Sequence, residues 1–281
     1  MKRHEIAIWV AGATALAAVF SAPALADDGK LDQLKEQGFA RIAIANEPPF
    51  TAVGADGKVS GAAPDVARAI FKKLGVDDVA ASISEYGAMI PGLQARRHDA
   101  ITAGLFMKPE RCQAVAYSEP VLCDAEAFLL PKGNPKGFQS YADIAANPDA
   151  KIGAPGGGTE EKLALEAGVP RDRVIVVPDG QSGLKMLQDG RIDVYSLPVL
   201  SISDLMAKAA DPNLEMVAPV VGAPVYCDGA AFRKEDTALR DAFDVELAKM
   251  KESGEFAAIV EPYGFSAAAA MSTSRAALCG E

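Results

Sequence analysis

Short apolar runs alternate with stretches of helical periodicity along the first half of the chain. Pro64 begins one such stretch and Gly75 ends it, with apolar residues on a single helical face. The turn at 55–58 carries an Asp-Gly pair and predicts a hairpin. Strands that alternate with helices predict a largely parallel sheet covered by helices. The predicted strands are 41–45, 79–83 and 100–103, and a second helix is predicted at 89–97.

The same alternation begins again after the turn-rich residues 132–135. Ser140 and Asp143 have the spacing of a capping box, with Asp in place of the usual Glu or Gln. Thr159 is predicted to cap the helix that follows it. Two successive blocks of this kind predict an α/β protein of two lobes. The remaining strands are predicted at 151–153, 173–177, 192–197 and 214–220, and helices at 182–188 and 237–251.

Two segments that flank the second block resemble each other. Residues 120–128 and 224–232 share six positions, among them Cys123 and Cys227. We interpret them as two strands that cross between the lobes and lie side by side; chance similarity in an Ala/Val-rich chain is the alternative. Two α/β lobes joined by two hinge strands form a clamp with a ligand cleft between them. The predicted lobes are residues 27–131 with 225–281, and residues 132–224.

The first residues have the features of an export signal. A basic start at Lys2 and Arg3 precedes an apolar stretch at 6–20, and Ala24-Leu25-Ala26 matches a signal peptidase site. A membrane anchor is the alternative, but the apolar stretch is too short to span well. We therefore predict that residues 1–26 are removed and that the mature protein is exported to the periplasm.

Four cysteines fit an oxidising compartment. Cys112, Cys123, Cys227 and Cys279 contain no C-x-x-C pair, which argues against zinc or thioredoxin-like chemistry. Four cysteines allow three pairings, and the crossing strands favour Cys123 with Cys227, leaving Cys112 with Cys279. Four buried free thiols are the alternative.

The charge balance excludes several classes of partner. With 28 Lys and Arg against 38 Asp and Glu, the net charge is -10, which argues against nucleic acid because phosphate binding needs clustered cations. His4 and His98 are the two histidines of the sequence, so a His-rich metal site or a catalytic histidine pair is not expected. We predict no metal and no cofactor.

Four segments together resemble the extracytoplasmic solute-binding proteins of ABC importers, in the polar amino-acid-binding family. The resemblance covers nearly all of residues 36–265, and within the family it is greatest to the branch that binds ectoine and hydroxyectoine. It implies a periplasmic-binding-protein-like fold, a monomer, a small zwitterionic solute as ligand and an ABC permease in the inner membrane as partner. The segments are 46–50, 86–93, 102–111 and 153–160.

Arg111 and the glycine turn supply the anion side of the implied site. Arg111 follows a strand, and a guanidinium there can hold a carboxylate with two parallel hydrogen bonds. Gly158 and Thr159 precede a helix whose positive end also favours an anion. The alternatives are a surface salt bridge of Arg111 with Glu110 or Glu119, and flexible glycines at a plain helix start.

The cation side departs from the family pattern. Pro198 stands where amino-acid binders of the family place an aspartate for the α-ammonium group. Rings in the cleft loops can instead hold a delocalised cation by cation–π attraction, while Glu47 accepts hydrogen bonds from its N–H groups. A cyclic amidinium with a carboxylate, such as ectoine, fits this set; core packing of the rings is the alternative. The expected ligand-binding residues are Glu47, Phe50, Tyr86, Gly104, Phe106, Arg111, Gly158, Thr159 and Pro198.

Two other functions use the same fold. A secreted dehydratase needs a positioned acid or base, and Glu47 is the one carboxylate that the sequence places in the cleft. A binder of a polar or cationic amino acid, or a sensor that presents ligand to a membrane receptor, would use similar binding chemistry. We expect a transport protein and not an enzyme.

Overall fold

The computed structural model describes residues 29–280, so the predicted signal segment at 1–26 lies outside the described residues. Within residues 29–280, no helix is long and apolar enough to cross a membrane. The strands are β1 (Phe39–Ile44), β2 (Ala52–Val53), β3 (Val59–Ser60), β4 (Asp78–Ile83), β5 (Ala100–Ile101), β6 (Ala116–Tyr117), β7 (Cys123–Asp124), β8 (Glu126–Pro131), β9 (Ile152–Pro155), β10 (Val174–Val177), β11 (Val194–Pro198), β12 (Leu214–Val217), β13 (Tyr226–Cys227) and β14 (Ala231–Phe232).

The helices follow the predicted alternation with the strands. They are α1 (Lys30–Gln37), α2 (Ala62–Lys73), α3 (Tyr86–Gln94), α4 (Pro109–Ala114), α5 (Tyr141–Ala146), α6 (Thr159–Glu166), α7 (Gly180–Gln188), α8 (Val199–Ala209), α9 (Thr237–Ser253), α10 (Glu255–Val260), α11 (Ala267–Met271) and α12 (Arg275–Cys279). Short 3₁₀ turns occur at Arg171–Arg173 and Glu261–Tyr263.

The first lobe is built on a five-stranded sheet with the order β4-β1-β5-β14-β6. Strand β1 pairs in parallel with β4 and β5, as the alternating pattern predicts, and β14 runs antiparallel to its neighbours. Side chains of β1 alternate between two cores, because successive residues of a strand point to opposite faces. Ile42 and Ile44 pack with α2 and α9, whereas Ala43 packs with α3 and α4.

The second lobe repeats this architecture with the strand order β10-β9-β11-β8-β12. Strands β9, β10 and β11 are parallel, and β8 runs antiparallel to both β11 and β12. One face packs on α5 and α6 and the other on α7 and α8. The fold is therefore the predicted one, two α/β lobes of the periplasmic-binding-protein type.

The two repeated segments form the crossing between the lobes, as predicted. Strands β7 and β13 pair antiparallel, with Cys123 opposite Cys227. These two residues form a disulfide with Cα atoms 4.0 Å apart, and Cys112 and Cys279 form a second with Cα atoms 5.7 Å apart. The favoured cysteine pairing is confirmed, and the alternative of free thiols is wrong.

One predicted lobe limit needs correction. Residues 126–131 were assigned to the first lobe, but they form β8, which is hydrogen-bonded inside the second sheet. Ala125 alone separates β7 from β8, so no turn in the sequence marks the change of lobe. The first crossing therefore comes at β7 and not after Pro131.

The local signals of the sequence succeed in two cases and fail in one. The capping box of Ser140 and Asp143 is present with both of its hydrogen bonds, and the hairpin of β2 and β3 surrounds the predicted turn. Thr159 is not a cap, because Gly158 occupies the N-cap position and Thr159 is the first helical residue of α6. The helix begins one residue earlier than predicted, so that a glycine without a hydroxyl occupies the N-cap position.

Candidate functional site

One pocket between the lobes brings together every residue that was expected to bind the ligand. It has about 250 Å³ of space not filled by protein atoms, a value that includes space open to solvent. The first lobe contributes the loop after β1, the start of α3 and the segment that leads into α4, and the second contributes the starts of α6 and α8. The lining residues are Glu47, Phe50, Tyr86, Gly104, Phe106, Arg111, Gly158, Thr159, Glu160 and Pro198.

Glu47 is held in the pocket by hydrogen bonds from both lobes. Ser201 Oγ, on α8 of the second lobe, donates to Glu47 Oε1 at 2.8 Å. The Tyr86 hydroxyl lies 3.4 Å from Glu47 Oε2 and donates a shorter bond of 2.9 Å to the carbonyl of Ala103. The backbone N–H of Glu47 donates to Thr51 Oγ1 at 3.1 Å, which fixes the turn after β1. The carboxylate is thereby aimed across the cleft.

The environment of Glu47 disfavours its charge. Burial raises the pKa of Glu47 from 4.5 to about 8, with Glu160 and Asp124 adding to the rise and hydrogen bonds from Ser201 and Tyr86 opposing it. Part of the residue reaches the surface, but its carboxyl end is enclosed. A carboxyl with this pKa is stabilised in its ionised form by a cation brought into the pocket.

The aromatic residues of the pocket belong both to the hydrophobic core and to the pocket wall. Phe50 and Phe106 are 1% and 2% exposed and meet edge to face with ring centres 6.0 Å apart. Phe106 also stacks on Tyr226 at 5.7 Å, and Phe50 packs on Phe265 at 4.7 Å. The neighbouring rings fix the two pocket rings, so core packing and a ligand role do not exclude each other.

Gly104 allows the ring of Phe50 to approach the backbone. Its φ is +75°, and a Cβ atom there would lie 2.8 Å from Phe50 Cδ1. A side chain at this position would push Phe50 out of the pocket wall. The role of Gly104 is therefore to admit the ring.

Arg111 links the two lobes through backbone carbonyls. Its Nη1 donates to Phe106 O at 2.8 Å, and its Nη2 donates to Gly157 O in the second lobe at 2.9 Å. Glu110 pairs with Lys162 and Glu119 with Arg275, so the expected alternative of a surface salt bridge to Arg111 is wrong. Arg111 lines the pocket together with Glu47.

The glycine run differs from its predicted use. The N–H of Gly157 donates to Glu161 Oε2 at 2.5 Å, and that of Gly158 donates to Pro155 O at 3.0 Å. These groups are engaged inside the lobe and not directed to the pocket. At Gly157 a Cβ would lie 2.5 Å from Gly87 Cα, so the absence of a side chain permits the close approach of the lobes.

Three further residues belong to the site and were not expected there. Glu160 is 4% exposed and lines the pocket, although its place in the first turn of α6 suggested a role with the helix dipole alone. Ser201 bonds to Glu47 from a helix 154 residues further along the chain. Tyr226 supports Phe106, and its place beside the repeated cysteine was the one signal in the sequence that could have indicated it.

Lys108 introduces a second cation near the pocket. It is 7% exposed, and its Nζ lies 5.0 Å from the centre of the Tyr226 ring. Burial lowers the pKa of Lys108 to about 8, and Arg111 and Lys162 lower it further while Glu160 opposes them. Its ammonium and the guanidinium of Arg111 give this side of the cleft a positive character.

The lobes meet across the cleft in a closed arrangement. Gly87 N donates to Gly156 O at 3.2 Å, and Lys162 on α6 pairs with Glu110 on α4. Together with the bonds of Arg111 and Ser201, these contacts close the pocket from several sides. No cluster of three or more potential metal ligands occurs within residues 29–280.

Residues 40–266 match the family described as bacterial extracellular solute-binding proteins, family 3. The chain belongs to this family. A probable amino-acid ABC transporter periplasmic-binding protein, y4tE of Sinorhizobium fredii (strain NBRC 101917 / NGR234), is 33% identical over 262 residues, which cover 91% of this chain and 87% of that protein. The L-cystine-binding protein TcyJ of Escherichia coli (strain K12) is 27% identical and covers 89% and 92% of the two chains.

The comparison with solved structures finds a protein of much higher sequence identity. The crystal structure of EhuB in complex with hydroxyectoine matches with a TM-score of 0.89 and 86% identity, covering 90% of this chain and 98% of that chain. The ancestral amino acid-binding protein AncCDT-1, a precursor of cyclohexadienyl dehydratase, matches with a TM-score of 0.72 and 25% identity, covering 83% and 98%. The resemblance drawn from the sequence motifs is confirmed.

Proposed function

We propose that this protein is the periplasmic solute-binding component of an ABC importer and that it captures ectoine or hydroxyectoine. The observation that carries the proposal is the composition of the pocket: a guanidinium at one side, and two carboxyl groups with three aromatic rings around the rest. The 86% identity to EhuB, whose structure contains hydroxyectoine, supports the same ligand class.

The ligand's carboxylate binds at Arg111 and Thr159. Arg111 lies at the pocket with its two bonds to backbone carbonyls, and its remaining N–H groups are available to an anion. Thr159 is 3% exposed, lines the same pocket and has its hydroxyl at the start of α6. An anion between them gains from both the guanidinium and the helix end.

The ligand's amidinium binds among the rings and at Glu47. Phe50, Tyr86 and Phe106 line the pocket together with Glu47, whose pKa is raised by burial and by Glu160, so that its ionised form gains from a countercharge. A delocalised cation supplies this countercharge and at the same time faces the ring quadrupoles. Pro198 closes the wall without adding a charge.

Closure couples binding to delivery. Both lobes contribute to the pocket, so the ligand favours the closed form by the contacts that it makes there alone. The closed form, in which Glu110 and Lys162 meet across the cleft rim, is the form that docks on the inner-membrane permease. The protein acts as a monomer in this cycle.

Binding without reaction is the function that the pocket chemistry favours. Burial raises the pKa of Glu47 to about 8, and its carboxyl group is already engaged by Ser201 and Tyr86. A dehydratase needs a base and an acid that reach the substrate. The similarity to a dehydratase precursor at 25% identity concerns a protein that is itself described as amino acid-binding.

Titration calorimetry of the mature protein with hydroxyectoine, ectoine, arginine and cystine tests the proposal. We expect binding of the two cyclic solutes and none or weaker binding of the two amino acids. Phe106→Leu should weaken binding of the cyclic solutes by about two- to thirtyfold through loss of cation–π attraction. Phe138→Leu is the control, because Phe138 is also 2% exposed but lies away from the pocket. Tighter binding of arginine or cystine than of ectoine would overturn the proposal.

A further inference from the structure

Glu126 is a buried acidic residue that the proposed function does not use. It begins β8, directly after the crossing strand, and is 1% exposed. Among residues 29–280, no protein donor forms a hydrogen bond to either of its carboxyl oxygens. A buried carboxylate without a donor is costly, so its surroundings must compensate it or keep it neutral.

Glu126 lies immediately behind the wall of the ligand pocket. It is the β-sheet partner of Pro198, and Pro198 lines the pocket. The side chain that approaches the Glu126 carboxyl is that of Glu160, which also lines the pocket. Glu126 is thus in contact with a pocket residue while remaining outside the pocket itself.

Two neighbouring carboxyl groups can form a hydrogen bond only if one of them keeps its proton. When both are ionised they repel each other, and neither has a hydrogen to donate. Glu160 is the better site for the charge, because its own backbone N–H at the start of α6, Arg111 and Lys108 all lower its pKa against the effect of burial. Burial, Glu160 and Glu47 raise the pKa of Glu126 well above its usual range, and Lys108 alone opposes them.

The groups that face Glu126 from the other packed elements do not change this order. Asp124 on β7 adds negative charge, and the phenols of Tyr141 on α5 and Tyr226 on β13 are neutral neighbours. Tyr141 directs its hydroxyl to Ser196, at 2.7 Å, and not to Glu126. Of the carboxyl groups in this part of the cleft, Glu126 is therefore the one whose ionised form is stabilised least.

We propose that Glu126 is a positioning residue for ligand binding: its carboxylic acid donates a hydrogen bond to Glu160, which holds the Glu160 carboxylate toward the ligand's N–H groups as a single negative charge. The ligand thereby meets a carboxylate from each lobe, Glu47 from the first and Glu160 from the second. This inference rests on the proposed function for the identity of the ligand.

The role also explains why a proline can stand at position 198. Pro198 has no charge and no free backbone N–H, so it cannot neutralise a cation from this strand end. The charge comes instead from Glu160 on the adjacent helix, and the residue paired with Pro198 in the sheet fixes the orientation of that charge. The specificity for a delocalised cation thus depends on a residue outside the pocket.

Glu126→Gln and Glu126→Leu separate this role from the alternatives. Glutamine keeps the size and a neutral donor, so hydroxyectoine should bind within about twofold of the unchanged protein. Leucine removes the donor, and binding should weaken by about tenfold or more, as expected for a lost hydrogen bond to a charged group. Calorimetry gives the affinities, and thermal melting shows that both variants are folded.

Each other outcome overturns the proposal. If both variants bind hydroxyectoine equally weakly, the charge of Glu126 itself acts on the ligand. If both bind it normally, the Glu126 side chain only fills space. Infrared spectra of the ligand-free protein provide a second readout: the band of a protonated carboxylic acid should decrease in Glu126→Gln relative to the unchanged protein. An unchanged band contradicts the assigned proton. Because this measurement needs no ligand, it remains decisive even if hydroxyectoine proves to be the wrong solute.

Discussion

The hydroxyl of Ser201 lies 2.8 Å from the carboxylate of Glu47, and the two residues belong to different lobes. The bond exists only while the lobes are closed, because α8 carries Ser201 in the second lobe and the turn after β1 carries Glu47 in the first. It links lobe closure to the carboxylate that we propose as the partner of the ligand's cation. A contact of this kind stabilises the bound form without touching the ligand.

We expect Ser201→Ala to weaken ligand binding about fivefold. The substitution removes one hydrogen bond from the closed form and leaves the hydrogen bonds of the open form unchanged. Ser203→Ala is the matched control. Ser203 is on the same helix, but its hydroxyl bonds to Val199 O within that helix at 2.8 Å. Calorimetry measures both affinities, and an equal loss in the two variants would indicate a general effect on α8 and not a role in closure.

The pKa of Glu47 predicts a pH dependence of closure without ligand. In the closed form the pKa of Glu47 is raised from 4.5 to about 8 by burial and by Glu160. A raised pKa means that the closed form holds the proton more tightly than the open form, so protonation favours closure. The closed fraction of the ligand-free protein should therefore be largest below pH 4.5 and fall as the pH rises to about 8.

Small-angle X-ray scattering measures this equilibrium as a radius of gyration that grows with pH. Glu47→Gln should reduce the dependence, because the amide does not titrate while Lys108, Glu126 and Glu160 at the same cleft still do. Excess hydroxyectoine should also reduce it, since the cation compensates the carboxylate in the closed form. A radius that shrinks as the pH rises would show that the sign of the coupling is wrong.

Arg111 and Lys162 both link the lobes, but we expect them to contribute very differently. Lys162 and Glu110 have side chains 41% and 49% exposed, and such pairs typically contribute about 0–1 kcal/mol. Lys162→Ala should therefore change the affinity by less than about fivefold. Arg111→Ala should weaken it by between about tenfold and a hundredfold, because the ligand's carboxylate loses a charged donor.

Titrations at low and high salt complete this comparison. The small effect of Lys162→Ala should disappear at high salt, since exposed charges are screened there, whereas the effect of Arg111→Ala should persist. Arg111→Lys retains the charge but not the two-pronged geometry, and should lie between the unchanged protein and Arg111→Ala. Near-normal binding by Arg111→Ala would show that the guanidinium does not bind the ligand's carboxylate.

The sequence predicted the pocket better than it predicted the contacts that organise it. All expected ligand-binding residues lie in one pocket, because they come from loops at the ends of strands, where an α/β fold places its clefts. Ser201 and Glu126 could not be predicted. Their roles depend on side chains brought together by the packing of separate lobes or strands, and no local pattern records such distances.

Local signals failed where two of them overlapped. Gly158 and Thr159 are adjacent where α6 begins, and a preference for Ser or Thr at the N-cap cannot show that Gly158 takes that position and that Thr159 is already helical. The limit between the lobes was misplaced for a similar reason. The crossing strand β7 and the sheet strand β8 are separated by Ala125 alone, and no glycine or proline marks a turn between them.

The two disulfides join cysteines that are 104 and 167 positions apart in the sequence. Removing either should lower the free energy of unfolding by about 2–4 kcal/mol. Their effects on binding should differ. The hinge strands stay paired without their disulfide, since Cys123 faces Cys227 and Asp124 faces Tyr226 in the β7–β13 ladder. Cys123→Ser with Cys227→Ser should therefore keep the affinity within about threefold.

The other disulfide has a second role, because Cys112 is the neighbour of Arg111 in the short helix α4. Its partner Cys279 ends α12, a five-residue helix at the carboxyl end of the described chain that is too short to be stable alone. Cys112→Ser with Cys279→Ser should release α12 from α4 and let Arg111 move, so that ligand affinity falls together with stability. Denaturant unfolding and calorimetry on the two double variants give both quantities. Equal affinities, with a loss of stability in both, would show that the packing of α4 on the sheet holds Arg111 without the disulfide.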